Sequence, residues 1–222
     1  MPTFNPLALR KRRYLPINSS ALPSNRIFTQ AIKPPCYLLT SYQIRGVILP
    51  SGAQPSAMYG MVPKWAKDTS MAKYTYNARS ETVMDKQSFK RTWYNNQFAL
   101  ILVQTIFEPK YIEGKAHRYG IERDDGQPFT VAALYESVKI GEQIIRSMTM
   151  LTINADDHPF MSQFHKPKDE KRSIVVIEPQ QRMDWLNMTH ESAYKLLLLM
   201  GAGYVAEHCP KPKNRLKRKR CK

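Results

Sequence analysis

The chain has 222 residues, which is enough for one domain or for one domain with an appendage. Hydrophobic residues make up 42% of it and charged residues 23%, a composition that excludes disorder of the whole chain. Lysine and arginine number 34 against 18 aspartates and glutamates, a formal net charge of +16. Such a surplus favours a polyanionic partner, either nucleic acid or an anionic membrane surface.

Membrane insertion and secretion are not predicted. The longest apolar run, near residues 196–206, is too short for a membrane span and is more typical of a core helix. The basic run Arg10–Arg13 is not followed by an unbroken apolar segment, so no secretory signal is expected. The cysteines Cys36, Cys209 and Cys221 form no C-x-x-C motif, which argues against both a zinc site and a disulfide framework. A reducing, cytoplasmic location is expected.

Charge divides the chain into three parts. The first 67 residues contain nine basic side chains and no acidic one, and residues 211–222 contain eight basic side chains and no acidic one. Residues 1–35 also lack a helical or strand period, and they are predicted to be a poorly ordered basic segment. Residues 36–208 are predicted to form the folded domain, and residues 209–222 a basic tail. Both basic ends are either solvated arms or nucleic-acid contacts.

The central part shows mainly strand patterns. A strand is predicted over Ala99–Phe107, with Pro109 ending it. The sequence Asp-Asp-Gly-Gln at residues 124–127 separates Tyr119–Arg123 from Phe129–Leu134 and predicts a β-hairpin.

Two further strands and two helices complete the predicted elements. The strands are Met148–Ile153 and Ser173–Ile177, and the helices are Lys86–Asn95 and Glu191–Ala206. Short strands joined by turns, with few helices, indicate an α+β fold that is mainly antiparallel β.

Three segments are more specific than core packing requires. They are Gly60–Asp68 (GMVPKWAKD) followed by Tyr76–Thr82 (YNARSET), then Ile106–Pro109 (IFEP), and then Met148–Asp156 continuing through FHKP at 164–167 and DEKR at 169–172. In combination they resemble the SRAP family, the SOS response-associated peptidases or abasic site processing proteins. The resemblance covers roughly residues 42–186.

The resemblance implies a barrel-like SRAP fold with a few flanking helices and a specific chemistry. Typical members bind single-stranded DNA at abasic sites and remove their own initiator methionine to expose a cysteine. The α-amine of that cysteine attacks the C1′ aldehyde of the open sugar, and its thiol closes a thiazolidine that shields the lesion. No cofactor is implied, and the protein is expected to associate with the nucleoid when bound to DNA.

Three residues match the catalytic positions of the family. Asn77 would help to position the N-terminus and the sugar, although an asparagine there could also use its amide locally in a turn. Glu108 would shuttle protons during imine formation, unless it is a solvated carboxylate at a strand end. His165 would act as acid or base in opening the sugar ring, because imidazole titrates near neutral pH. His158 is a nearby competitor for that role.

Three further residues are candidate DNA contacts. Arg79 matches a family arginine that faces the DNA backbone, with an internal salt bridge to Glu81 or Asp85 as the alternative. Ser80 follows it in the same motif. Trp65 would stack on a base or pack in the core.

No metal site is predicted. Asp156, Asp157 and His158 are adjacent in sequence, and adjacent side chains on an extended chain diverge. No membrane partner is expected either, because residues 193–206 are too uniformly apolar to present a polar face.

The sequence departs from the family at position 2, where Pro2 stands instead of cysteine. Cys36 cannot replace it, because an internal cysteine lacks the free α-amine that a thiazolidine needs. Three hypotheses follow: a misassigned start, a degenerate member that binds DNA without linking to it, or a Pro2 amine that forms an iminium. The alternative function is therefore a non-catalytic, basic, single-stranded nucleic-acid-binding protein that retains the fold.

Overall fold

A computed structural model describes residues 43–44, 47–53 and 56–210. This part of the chain forms twelve strands and three short α-helices. The strands are β1 (Gln43–Ile44), β2 (Val47–Ile48), β3 (Ala57–Tyr59), β4 (Asn77–Arg79), β5 (Phe98–Val103), β6 (Ile106–Ile112), β7 (Lys115–Arg123), β8 (Phe129–Ile140), β9 (Gln143–Asn154), β10 (Arg172–Ile174), β11 (Val176–Ile177) and β12 (Tyr204–His208). The α-helices are α1 (Lys90–Tyr94), α2 (Arg182–Asn187) and α3 (His190–Ala193), and 3-10 turns cover Ser70–Tyr74, Met161–Gln163, Pro179–Gln181 and Tyr194–Leu196.

The strands form a nine-stranded sheet and a three-stranded sheet. The main order along the large sheet is β1-β3-β9-β8-β5-β2. Its three remaining strands are β4 and β10, which also pair with β9, and β11, which pairs with β8. The small sheet has the order β12-β7-β6. The large sheet is mixed, because β3 and β4 run parallel to β9 while its other pairs are antiparallel. It is curled like half a barrel. The prediction of a mainly antiparallel α+β, barrel-like fold is confirmed.

The core lies on both faces of the large sheet, and β5 shows why. All six of its residues are buried, and the first four alternate between two hydrophobic clusters. Phe98 and Leu100 pack on one side with Trp185, whose indole N–H donates a 2.9 Å hydrogen bond to the carbonyl of Ala99. Ile101 lies on the other side. A strand that is buried on both faces shows a continuous apolar run, as this sequence does.

Strands β8 and β9 separate part-way along, and residues 172–177 fill the gap. The two strands pair as far as Ala133 and Met150. Beyond that point β10 pairs with β9 and β11 pairs with β8, and Val175 between them bonds to both neighbouring strands. The motif at 169–172 is thereby placed beside the end of β9.

The other edge of β9 is shared by two short strands placed one after the other. Tyr59 of β3 pairs with Met148, and Asn77 of β4 pairs with Met150. Gly60 ends β3 with a φ of 102°, and a Cβ there would lie 2.0 Å from the carbonyl oxygen of Ala72. A residue with a side chain does not fit at this position. The chain turns away from β9 after Gly60, and β4 occupies the next part of the same edge.

The predicted strand over 99–107 is wrong, because two strands of different sheets occupy it. The chain leaves the large sheet after Val103 and enters the small sheet at Ile106. Pro109 does not end the second strand but lies inside β6, opposite Arg118. Strand β6 is an edge strand, where a residue without an N–H is tolerated.

The predicted hairpin at 124–127 is also wrong. This turn carries the chain from β7 in the small sheet to β8 in the large one, and each strand pairs elsewhere. The hairpins of the described residues are β6–β7, with positive φ at both Glu113 and Gly114, and β8–β9, which turns at Gly141.

The predicted helices are shorter than expected. In the first, residues 87–89 are turns and helix α1 covers Lys90–Tyr94. In the second, α3 ends at Ala193, and residues 204–208 form β12 against β7 instead of a core helix. After α3 the chain forms a single 3-10 turn at Tyr194–Leu196, Leu198 is 56% exposed, and Gly203, with a φ of 91°, lies directly before β12.

The predicted N-terminal segment 1–35 and residues 211–222 of the predicted tail lie outside the described residues. Within the described part, no helix is long and apolar enough to cross a membrane.

Candidate functional site

Glu108 and His165 form a direct side-chain pair. Nε2 of His165 lies 3.1 Å from Oε2 of Glu108, and the two side chains are 22% and 20% exposed. Glu108 lies in the middle of β6 rather than at its end, so the interpretation as a solvated strand-end carboxylate is wrong. A carboxylate and an imidazole at this distance can share a proton, and partly exposed groups of these types can exchange protons with a bound substrate, as general acid–base catalysis requires.

The backbone of His165 is held in an unusual conformation. Its φ is 63°, and its N–H donates a 2.6 Å hydrogen bond to the carbonyl of Pro109. The left-handed conformation is uncommon for a residue with a side chain and is a frequent feature of functional sites. It directs the ring back towards Glu108, while Nδ1 is buried with no hydrogen-bond partner in the described part of the chain.

His158, the competing histidine, has a structural role. Its Nδ1 accepts hydrogen bonds from the backbone N–H groups of Phe160 and Met161, and its Nε2 lies 2.8 Å from the carbonyl of Met200. The ring is buried and both nitrogens are engaged. The geometry therefore favours His165 as the chemically available histidine.

Asn77 begins β4, is exposed, and is linked to the interior by Tyr59. The hydroxyl of Tyr59 donates a 3.0 Å hydrogen bond to Oδ1 of Asn77. This contact joins two different strands, so the amide is not used locally in a turn. Burial, followed by the charges of Tyr76 and Glu108, raises the pKa of the Tyr59 hydroxyl far above its ordinary value.

Arg79 lies on the same strand as Asn77 and forms an ion pair with Glu170. The NH1–Oε2 distance is 2.5 Å, and the Arg79 side chain is 58% exposed. The predicted alternative, a salt bridge from Arg79 to Glu81 or Asp85, is wrong, because the partner of Arg79 is Glu170. Glu81 is held instead by Arg172, which also contacts Glu170.

Arg172 is the centre of this charged network. Its guanidinium contacts Glu81 at 2.8 Å, Glu170 at 2.7 Å and the carbonyl of Thr152 at 2.8 Å. Its hydrogen bond holds the pKa of Glu170 below the ordinary value. Because Glu81 lies two residues after β4, within the YNARSET segment, and Glu170 follows His165 in the loop before β10, the network ties β4 to the loop that carries His165.

Asn154 and Asp156 close the base of the same loop. The Asn154 amide donates to Asp156 at 2.9 Å and to Glu170 at 3.2 Å, and Asp156 accepts the backbone N–H of Lys171 at 2.7 Å. These carboxylates are thus used as hydrogen-bond acceptors. Among the residues that the structure describes, no group of three or more His, Cys, Asp or Glu could hold a metal ion.

The two remaining candidate DNA contacts differ in exposure. Ser80 is 4% exposed, and its backbone N–H donates to the carbonyl of Thr152 at 2.8 Å. Trp65 is 56% exposed, so the alternative of core packing is wrong for it. Its indole N–H lies 3.4 Å from the carbonyl of Gln87. A DNA contact by either residue stays a prediction.

The structure therefore joins Glu108 to His165 directly and, separately, joins Asn77 to the buried side chain of Tyr59. Sequence reasoning missed Tyr59 and Arg172 as parts of the site. The available signal for Tyr59 was its place immediately before the Gly60–Asp68 segment, and for Arg172 its place at the end of DEKR.

Comparison with known proteins agrees with this architecture. The family model described as SOS response associated peptidase (SRAP) matches residues 41–208. The chain belongs to the SRAP family.

Two curated relatives carry the name abasic site processing protein. YoaM of Bacillus subtilis is 27% identical over 135 residues, which is 60% of this chain and 56% of that protein. YMR114C of Saccharomyces cerevisiae is 35% identical over 83 residues, covering 36% of this chain and 22% of that protein. The chain thus spans little more than half the length of the Bacillus relative.

Solved structures are similar in fold. A crystal structure of a protein from Bordetella bronchiseptica matches with a TM-score of 0.73 and 28% identity, covering 83% of this chain and 93% of that one. A protein from Bacteroides thetaiotaomicron matches with a TM-score of 0.66 and 18% identity, which is a likeness of fold alone.

Proposed function

We propose that this domain processes abasic sites in single-stranded DNA and that the pair Glu108–His165 acts on the sugar of the lesion. The observation that carries the proposal is the 3.1 Å contact between these two side chains, each about one-fifth exposed. Membership of the SRAP family and relatives named abasic site processing proteins support the choice of substrate.

The chemistry follows from what the two side chains can exchange. An abasic deoxyribose opens when its ring oxygen gains a proton and its C1′ hydroxyl loses one, leaving a C1′ aldehyde. An imidazole can supply the first proton and a carboxylate can accept the second. The amide of Asn77 is suited to hold a sugar oxygen during this step. The same proton relay serves an amine that attacks the aldehyde, because the addition product must lose water to become an imine.

The covalent step depends on which amine attacks. A thiazolidine requires an amine and a thiol on one residue, and position 2 is Pro2. If removal of the initiator methionine exposes Pro2, its secondary amine can form an iminium that borohydride traps. Such an iminium also promotes β-elimination, which cleaves the DNA strand like a lyase. Pro2 lies outside the described residues, and self-processing and cross-linking are part of this proposal.

DNA contact is assigned to Arg79 on β4 and to Trp65, together with the overall charge. Arg79 presents a half-exposed guanidinium, Trp65 presents an exposed ring, and the net charge is +16. Each phosphate that is neutralised releases counterions, with a log–log salt slope of about −0.7 per contact on single strands. A preference for single-stranded over duplex DNA is expected.

Fluorescence anisotropy tests the binding part of the proposal. Labelled single strands with and without one abasic site, and the matching duplexes, are titrated at several salt concentrations. The proposal expects the tightest binding to the abasic single strand and a salt-dependent affinity. Equal affinity for all four DNAs, or tighter binding to the intact duplex, contradicts it.

The second candidate is a non-catalytic, single-stranded nucleic-acid-binding protein that retains the fold. It is favoured by Pro2 at the position of the family cysteine and by the net charge. Both candidates require the same charged surface, so binding alone does not separate them. A denaturing gel does, because chemistry changes the length or the mobility of the labelled strand and binding without chemistry leaves it unchanged.

A further inference from the structure

Tyr59 is a buried side chain that is hydrogen-bonded to one residue of the candidate site. It ends β3, is 7% exposed, and donates its hydroxyl to the amide oxygen of exposed Asn77 at 3.0 Å. Buried hydroxyl groups are normally hydrogen-bonded, and here the partner is a residue of the site rather than the backbone.

The sheet explains why these two side chains meet. Tyr59 pairs with Met148 and Asn77 pairs with Met150 on the same edge of β9. Residues two apart along a strand project from the same face, so their directly opposed partners share that face as well. The sharp turn at Gly60 is what allows β4 to follow β3 along this edge.

The hydrogen bond fixes the orientation of the Asn77 amide. A carboxamide has an oxygen that accepts and an NH₂ group that donates, and turning it over exchanges the two. With its oxygen held by Tyr59, Asn77 presents its NH₂ group as the donor for a substrate oxygen. The raised pKa of Tyr59, caused first by burial and then by the charges of Tyr76 and Glu108, keeps this hydroxyl protonated as a permanent donor.

We propose that Tyr59 is a positioning residue, which locks the Asn77 carboxamide with its NH₂ group directed at the oxygen atoms of the abasic sugar. This inference rests on the proposed function of the site. It assigns a role in the reaction to a buried side chain that itself touches no DNA.

Single-turnover kinetics on a labelled abasic single strand test this role. The Tyr59→Phe variant removes one oxygen atom and keeps the ring, and Tyr76→Phe is the matched control because Tyr76 packs beside Tyr59 with 6.1 Å between ring centroids. Tyr59→Phe is expected to lower the rate at saturating DNA about tenfold, with little change in affinity for intact DNA. Tyr76→Phe is expected to leave the rate unchanged.

A double-mutant cycle separates positioning from general destabilisation. In an Asn77→Ala background, Tyr59→Phe should have no further effect on the rate, because the group that it positions has been removed. An equal loss in both backgrounds, or no loss in either, overturns the role of Tyr59. If the unchanged protein forms no product from abasic DNA, both the proposed function and the role of Tyr59 fail. If it forms product but the two substitutions act independently, only the role of Tyr59 fails.

Discussion

The backbone N–H of His165 donates a 2.6 Å hydrogen bond to the carbonyl of Pro109, next to the glutamate with which the His165 ring pairs. Proline has no N–H to donate, but on this edge strand its carbonyl is free to accept. The loop is thus fastened to β6 beside Glu108, and the side-chain contact depends on the left-handed φ of 63° at His165.

The first prediction uses this conformation. Asparagine adopts the left-handed region more readily than other residues with a side chain, so His165→Asn should keep the loop in place while removing the imidazole. Its processing rate on abasic DNA should fall by a factor of about 10²–10⁴, and Glu108→Gln should cause a similar loss. His165→Ala should lose stability as well. A His165→Asn variant of normal stability and full activity would contradict the role of the pair.

The second prediction concerns the ion pair between Arg79 and Glu170. Exposed ion pairs contribute about 0–1 kcal/mol, so Arg79→Ala should alter the melting temperature little. The same variant should weaken DNA binding, because a phosphate contact is lost. Glu170→Gln should strengthen binding, because it removes a carboxylate that competes with phosphate for Arg79. Anisotropy titrations measure both effects, and a large fall in melting temperature with unchanged affinity would assign Arg79 a structural role.

The third prediction concerns Arg172, whose side chain is 14% exposed. Arg172→Ala leaves Glu81 and Glu170 without their shared cation and should lower the free energy of unfolding by about 2–3 kcal/mol. Urea unfolding measures this loss. Arg146→Ala, on the exposed part of β9, is the matched control and should change stability by less than about 0.5 kcal/mol. Equal losses in the two variants would show that the network does not stabilise the loop.

The fourth prediction is an acid dependence of stability. The hydrogen bond from Arg172 lowers the pKa of Glu170 from its ordinary value of 4.5, and the backbone N–H of Lys171 lowers the pKa of Asp156. A carboxyl whose pKa is lowered by folding stabilises the folded state above its ordinary pKa, and this stabilisation is lost as the pH falls through the lowered value. Unfolding free energy should therefore decrease as the pH falls below 4.5. The decrease should be shallower in Arg172→Ala, whereas parallel curves would contradict the assignment.

The class of the fold and the site residues Glu108 and His165 were predicted from different features of the sequence. Strand residues such as 148–153 are buried on one or both faces, and their patterns reflect that burial directly. Glu108 and His165 were found through the motifs around them. Asn77 was found in the same way, but Tyr59, which donates to its amide oxygen, lies just outside the motif segments and was missed.

The errors came from pairing partners that lie far away in the chain. The residues on either side of Asp124–Gln127 look like two strands of a hairpin, yet they pair with β6 and β5 in different sheets. Residues 204–206 end the apolar run that predicted a helix, but they belong to β12, which pairs with the edge of β7. Such choices depend on which edges the rest of the fold leaves open, and local pattern does not contain that information.

Processing of abasic DNA by this protein is tested by analysing the DNA strand after the reaction. A 5′-labelled single strand with one abasic site is incubated with the protein, with and without borohydride, and separated on a denaturing gel beside an intact control strand. A cleaved or protein-linked product is expected from the abasic strand alone, and this product should disappear in the Glu108→Gln and His165→Asn variants. Tight binding of the abasic strand with no product under either condition would contradict it and would identify the chain as a non-catalytic DNA-binding member of the family.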